Sequence, residues 1–177
     1  MPRNSLKQIE KDELRILGEL RKKANKSIND IAETCGFSRQ KVWRVIKNLE
    51  KNHTIWGYTA VIDEEKLDKK GYILLVKRTN KPTEKKLINQ IVSRELVDEV
   101  KKIGIVLTNS FFTNGRFDWI MCFTANDVRE AKGFVEIFNK LYEGYISETH
   151  LLENMFSAVN CGVTNPDIKK LNDFFKM

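Results

Sequence analysis

The sequence predicts an α+β protein in two parts. The N-terminal part is a winged-type helix-turn-helix domain and the C-terminal part a ferredoxin-like (βαββαβ) domain. Three observations carry this. Apolar residues recur at helical spacing through roughly the first fifty positions, and short β-branched and aromatic runs alternate with helical stretches afterwards. Ser27, Gly36 and Ser38 punctuate the helical part at positions that start and stop short helices. Positive charge is concentrated at the front: residues 1–63 hold 13 basic and 8 acidic side chains, and so carry +5 of the net +7.

The elements follow in order. Glu10 to Ala24 carries Leu14, Leu17 and Leu20, with Ile16 one step off, and reads as a helix with one apolar stripe. Ser27 can cap Ile28 to Cys35, in which Ile28, Ile31, Ala32 and Cys35 are core candidates and Asp30 favours the first turn. Gly36 permits the left-handed conformation that ends a helix, Phe37 can plug the corner, and Ser38 can cap the next helix. There Val42, Val45, Ile46 and Leu49 fall at i, i+3, i+4 and i+7 and face the core, and Asn52 and His53 end the helix. Thr54 to Ile62 (TIWGYTAVI) reads as a linking strand, which gives a first domain at 1–62 and a charged linker at 63–70.

Residues 71–177 form the second domain with a C-terminal tail. A strand is expected at Tyr72–Thr79, then a helix over Thr83–Lys102 with an irregularity near Ser93. Strands follow at Gly104–Thr113 and Phe117–Thr124, joined by the hairpin signal Asn114-Gly115. Asn126 or Asp127 caps a helix reaching Leu141, and Tyr145–Phe156 is the last long strand. Such an order makes a four-stranded antiparallel sheet with two helices on one face, so the other face needs cover, which a second copy can supply. Pro166 opens an amphipathic tail, through Ile168, Leu171, Phe174 and Phe175, suited to docking on a partner surface.

Composition excludes several classes. With 41% hydrophobic and 31% charged residues in 177, the chain can bury a core, so wholesale disorder is ruled out. No run approaches the ~20 apolar residues of a membrane span, and the first residues lack the apolar stretch of a signal peptide; a soluble cytoplasmic protein is expected. Cys35, Cys122 and Cys161 are odd in number and form no CxxC, so they read as small buried hydrophobes. His53 and His150 are the only histidines, which leaves no local metal cluster, and neither a cofactor nor catalytic residues are expected.

The stretch Ile28–Lys47 meets the steric demands of a helix-turn-helix: apolar Ile31, small Ala32, Gly36 at the turn, apolar Val42 and Val45. Such a unit inserts its second helix into the major groove of double-stranded DNA, with base contacts near that helix's N-terminus. Here those side chains are Ser38, Arg39, Gln40, Trp43 and Arg44, with Lys41, Lys47 and Lys51 nearer the phosphates. Between Ser38 and Asn52 there are five basic residues and Glu50 alone is acidic, a stripe that fits either a polyanion footprint or a solvated face. The competing reading of Trp43 is that its indole packs against another part of the chain.

These segments together resemble the Lrp/AsnC (feast/famine) family of transcription regulators over about residues 8 to 156. The resemblance rests on KDELRILGEL, on IAETCGFSRQKVWRVIKNLEKNHTIWGYTAVID, and on FFTNGRFDWIMCFTANDVREAKGFV. It implies a DNA-binding regulator that is a homodimer or a tetramer or octamer. It also implies a small effector, often an amino acid, at the hairpin of Asn114, Gly115 and Asp118: glycine lets a carboxylate approach backbone N–H groups, and an aspartate can receive an ammonium. The chain departs from the family pattern with Asn114 for threonine, with His53 for glycine, and in the length of Glu84–Lys102. Two other readings compete. One is a siroheme decarboxylase-like enzyme, disfavoured by a hairpin without histidine; the other is an architectural DNA-binding protein of low specificity.

Overall fold

The computed structural model describes residues 6–176. The chain divides into two compact units, one running to Val61 and taking in the tail from Ala158, the other spanning Ile62–Ser157.

The first unit is built on three helices, α1 (Leu6–Lys22), α2 (Ile28–Cys35) and α3 (Arg39–Lys51). Their shared core is Ile16, Ile31, Ala32, Cys35 and Val42, with Leu20, Ile28, Phe37, Val45 and Ile46 packed around it. The face that α1 turns inward differs from the expected leucine stripe. Ile16 is fully buried, whereas Leu14 is 67% exposed. Asp12 and Glu19, four residues before and three after Ile16, share the buried face because lysines come to meet them. Lys41 pairs with Asp12 at 2.5 Å, and Lys22 and Lys26 pair with Glu19 at 2.6 and 2.5 Å. Glu19's carboxyl is held down to about 2, first by its hydrogen bond from Lys22 and then by that from Lys26.

The turn between α2 and α3 follows the sequence closely. Ser27 and Asp30 form a reciprocal capping box on α2, with bonds of 3.1 and 3.3 Å. Gly36 ends α2 at φ 63°, and the Ser38 hydroxyl accepts the Lys41 N–H at 3.2 Å to start α3. The strand expected over Thr54–Ile62 is absent: no described residue there pairs in a ladder. Its composition suits a strand, but strand propensity is realised only against a cross-strand neighbour, and it pairs with none among the described residues. His53, where the family pattern has glycine, adopts the left-handed φ of 61° that glycine favours.

The tail adds a hairpin that sequence reading missed, β5 (Val159–Asn160) paired with β6 (Val163–Thr164). Its two turn residues, Cys161 and Gly162, have φ of 48° and 80°, the positive pair that a two-residue hairpin needs. Cys161 is therefore exposed, contrary to the expectation of three buried cysteines. A 3-10 turn at Ile168–Lys170 and the short α7 (Leu171–Phe175) follow, with Phe175 exposed.

In the second unit, residues 63–70 form a 3-10 turn (Glu64–Leu67) capped by Asp63, and Lys69 Nζ donates to the Gly104 carbonyl and to Asn126. Strands β1 (Lys70–Arg78), β2 (Val106–Phe112), β3 (Trp119–Ala125) and β4 (Ile146–Asn154) make one antiparallel sheet in the order β2-β3-β1-β4. This is the ferredoxin-like order. The helical stretch after β1 is two helices, α4 (Lys85–Val92) and α5 (Glu95–Lys101), broken where Arg94 takes φ 62°. The last long helix, α6 (Val128–Leu141), starts from an Asp127 cap whose side chain accepts the Glu130 N–H at 2.9 Å.

Alternation fixes the two sheet faces. Tyr72, Leu74, Val76, Trp119, Met121 and Phe123 point to the helices and are buried. Aromatic rings dominate this core: Phe123 lies 4.2 Å from Phe134, and Trp119 5.3 Å from both Phe138 and Tyr142, centroid to centroid. The opposite face carries Ile73, Leu75, Ile120 and Cys122, half-buried, and the exposed Val106, Phe111 and Leu152. Burial pushes the Cys122 thiol up, away from its reactive form.

Candidate nucleic-acid interface

The N-terminal turns of α2 and α3 border one open groove of about 630 Å³. Its walls are Ile28 together with Ser38, Arg39, Gln40, Lys41, Trp43 and Arg44, so six of the eight residues expected to contact DNA lie on one concave surface. They gather there because Val42, Leu49 and the partly buried Val45 and Ile46 turn inward, which leaves positions 39, 40, 43, 44 and 47 outward. Trp43 is 54% exposed, so its indole is not packed into the core of its own unit.

The eight residues differ in how free they are. Arg39, Arg44 and Lys51 form no ion pair among the described residues. Ser38 is occupied as the α3 cap, although backbone N–H groups of that first turn still point outward. Lys41, expected near the phosphates, is engaged within its own unit. Its ammonium is tied to Asp12 and lies 3.8 Å from the centre of the Phe37 ring, so it braces α3 against α1. The Lys41 hydrogen bond holds the Asp12 carboxyl below its ordinary value, and the Gln8 bond helps. Lys47 is paired with Glu50 at 2.8 Å, and Tyr58 donates to the same carboxylate at 3.1 Å. An exposed pair of this kind is worth about 1 kcal/mol or less, so Lys47 can exchange Glu50 for a phosphate.

The field at the groove is positive for a second reason. The first turn of α3 contains no acidic residue, unlike that of α2, which has Asp30. The partial positive charge of the α3 N-terminus is therefore uncompensated and adds to Arg39 and Arg44.

The hairpin expected to hold an effector is less ready. Asn114 and Gly115 are exposed in a loop closed by Thr113 N–H donating to the Asp118 carbonyl at 2.9 Å and Thr113 Oγ1 to that of Phe117 at 2.6 Å. Gly115 does not take a positive φ, so the two-residue turn signalled by Asn-Gly is replaced by a wider loop. One oxygen of Asp118 is already engaged. Its carboxylate accepts the Arg78 backbone N–H at 2.8 Å and ties the hairpin to β1.

Sequence reading missed the Asp12–Lys41 brace and the Phe37 ring beneath Lys41. No local signal joins residues 29 positions apart, although an aspartate on the core face of α1 was visible once Ile16 was taken as its centre. Among the described residues no group of three His, Cys, Asp or Glu side chains could hold a metal ion, and no helix is long and apolar enough to cross a membrane.

Comparison with known proteins agrees with this geometry. Residues 13–55 match the winged helix-turn-helix DNA-binding family. No curated protein matches the sequence. Among solved structures, an AsnC family transcriptional regulator from Agrobacterium tumefaciens superimposes with a TM-score of 0.63 at 17% identity, over 88% of this chain and 96% of that one. The leucine response regulatory protein of Mycobacterium tuberculosis gives 0.64 at 12% identity, over 85% and 94%. A transcriptional regulator from Neisseria meningitidis, solved as a complex with L-Met, gives 0.61 at 15% identity, over 85% and 92%. The chain thus joins a segment matching winged helix-turn-helix DNA-binding domains to a ferredoxin-like sheet, and has the fold of AsnC-family transcriptional regulators.

Proposed function

We propose that the protein is a cytoplasmic, sequence-specific DNA-binding regulator of the Lrp/AsnC family. In this reading α3 enters the major groove. Arg39, Gln40, Trp43 and Arg44 meet base edges, and Lys47 and Lys51 meet phosphates. The observation that carries it is the groove itself: two unpaired arginines, a glutamine and an exposed indole share one surface with an uncompensated helix N-terminus.

The reading extends to assembly and effector. The apolar sheet face of Ile73, Leu75, Ile120, Phe111 and Leu152 suits a second copy, which makes the regulator a homodimer or a larger even assembly. A small effector such as an amino acid acts through the second unit; the L-Met complex of the Neisseria relative supports that class.

Titration of a labelled duplex at several salt concentrations tests the core of this reading. Affinity should fall steeply with salt, because each neutralised phosphate releases counterions. The Arg39→Ala/Arg44→Ala double variant should bind much more weakly while melting like the parent. Equal binding by a folded double variant refutes the helix assignment.

A further inference from the structure

We infer that the second unit carries a small-molecule site of its own, away from the Asn114–Asp118 hairpin, which takes a compact apolar or aromatic monocarboxylate. The site is a cavity of about 310 Å³ where the break between α4 and α5 lies over β2. That volume is at the small end of ligand sites, enough for a ring and a short acidic chain.

Both walls are irregular at the same place. The helical wall is interrupted at Arg94, whose left-handed φ of 62° is unusual for a long side chain. In the sheet wall, the β2–β3 register shifts between Leu107 and Asn109, with Thr108 Oγ1 turned to the Cys122 carbonyl at 2.9 Å. A continuous helix over a regular strand would close this gap by packing; the break and the bulge together keep it open.

The lining gives the ligand class. Ile91, Val97, Leu107 and Trp119 supply an apolar body. Arg94 is exposed at the cavity and has no ion pair among the described residues, and a guanidinium of this kind recognises a carboxylate in a two-pronged bond. Its acidic neighbour Glu95 does not line the cavity, although its charge reaches Tyr142 there.

Tyr142 supplies a third, independent observation. It lines the cavity while only 2% exposed, and its hydroxyl is a hydrogen-bond donor. Burial, with the Glu95 charge adding, pushes that hydroxyl up to about 12, so it remains a donor across the physiological range. A bound carboxylate oxygen can accept that proton.

Trp119 is a built-in reporter. Its indole N–H donates to Ser110 Oγ at 2.8 Å at the cavity wall, whereas Trp43 is half exposed and Trp56 almost wholly so, both outside the cavity. The test follows the indole N–H resonances of the full-length, nitrogen-labelled protein during titration with 3-phenylpropanoate and, separately, its neutral amide. The expected result is a saturable shift of the Trp119 signal alone with the acid, at least about tenfold weaker with the amide. Arg94→Asn, which tolerates the left-handed backbone while removing the cation, should weaken the acid about tenfold or more, and Tyr142→Phe about threefold. No Trp119 shift up to about 10 mM, weak even for a fragment of this size, overturns the site. Equal binding of acid and amide, or an unaltered Arg94→Asn variant, overturns the carboxylate assignment.

Discussion

The two units solve the burial problem in opposite ways. In the helical unit the core is aliphatic and small, and two carboxylates, Asp12 and Glu19, lie on its buried face, each met by lysine. In the sheet unit the core is a run of touching aromatic rings, and Thr124 is the one buried polar residue among those described. The contrast separates what holds each unit together from what it presents. The helical unit stiffens its outward helix with a part-buried charge pair and leaves Arg39 and Arg44 without an ion pair among the described residues. The sheet unit draws stability from rings on one face and leaves the other face apolar and open.

The largest expected effect tests that contrast at its aromatic end. Phe134→Ala removes a fully buried ring in contact with Phe123 and should cost about 3–5 kcal/mol, read from denaturant unfolding. Ile16→Ala, at the centre of the helical core, should cost less, about 2–4 kcal/mol; the reverse order would break the comparison.

Asp12→Ala probes the charged end. It leaves the Lys41 ammonium without its partner and should cost about 1–3 kcal/mol. It should also loosen α3, visible as faster amide exchange near its N-terminus. A neutral result would show that the pair contributes no bracing.

The unpaired arginines should behave in the opposite sense. Arg39→Ala and Arg44→Ala are each expected to change stability by no more than about 0.5 kcal/mol while weakening specific DNA binding by about 1–3 kcal/mol. Parallel melting curves and duplex titrations check both halves.

Glu19 gives the comparison a pH axis. Its folded-state value of about 2 lies below the ordinary 4.5, so its contribution is complete above pH 4.5 and is lost as pH falls from there through about 2. Unfolding midpoints across that window should decline less in Glu19→Gln than in the parent.

The smallest effect is a gain. His53 occupies a left-handed conformation, so His53→Gly should stabilise by about 0.5–1 kcal/mol in thermal melts.

Much of this was legible in the residues. Ser27, Gly36 and Ser38 announced the helix-turn-helix, because caps and left-handed turns are decided within a few positions. The βαββαβ order was likewise readable, and the break near Ser93 was anticipated. What failed depended on distant partners. Thr54–Ile62 has strand composition but no ladder neighbour among the described residues, and the bond from Lys41 to Asp12 joins residues 29 positions apart. Leu14 misled because three leucines suggested one stripe, whereas the fold centres α1 on Ile16. At the hairpin, Asp118 was expected to receive an effector's ammonium, whereas its carboxylate accepts the Arg78 backbone N–H, a partner forty positions away.

The central claim is that α3 reads base sequence through Arg39 and Arg44. Its most direct test is selection from a random-sequence duplex pool at physiological salt, performed in parallel on the parent and on the Arg39→Ala/Arg44→Ala variant, with the bound fractions sequenced. The account predicts a two-fold symmetric motif enriched by the parent and absent from the variant, with half-sites about one or two helical turns apart. Enrichment of the same motif by both proteins, or salt-sensitive binding by the parent with no motif at all, would contradict it.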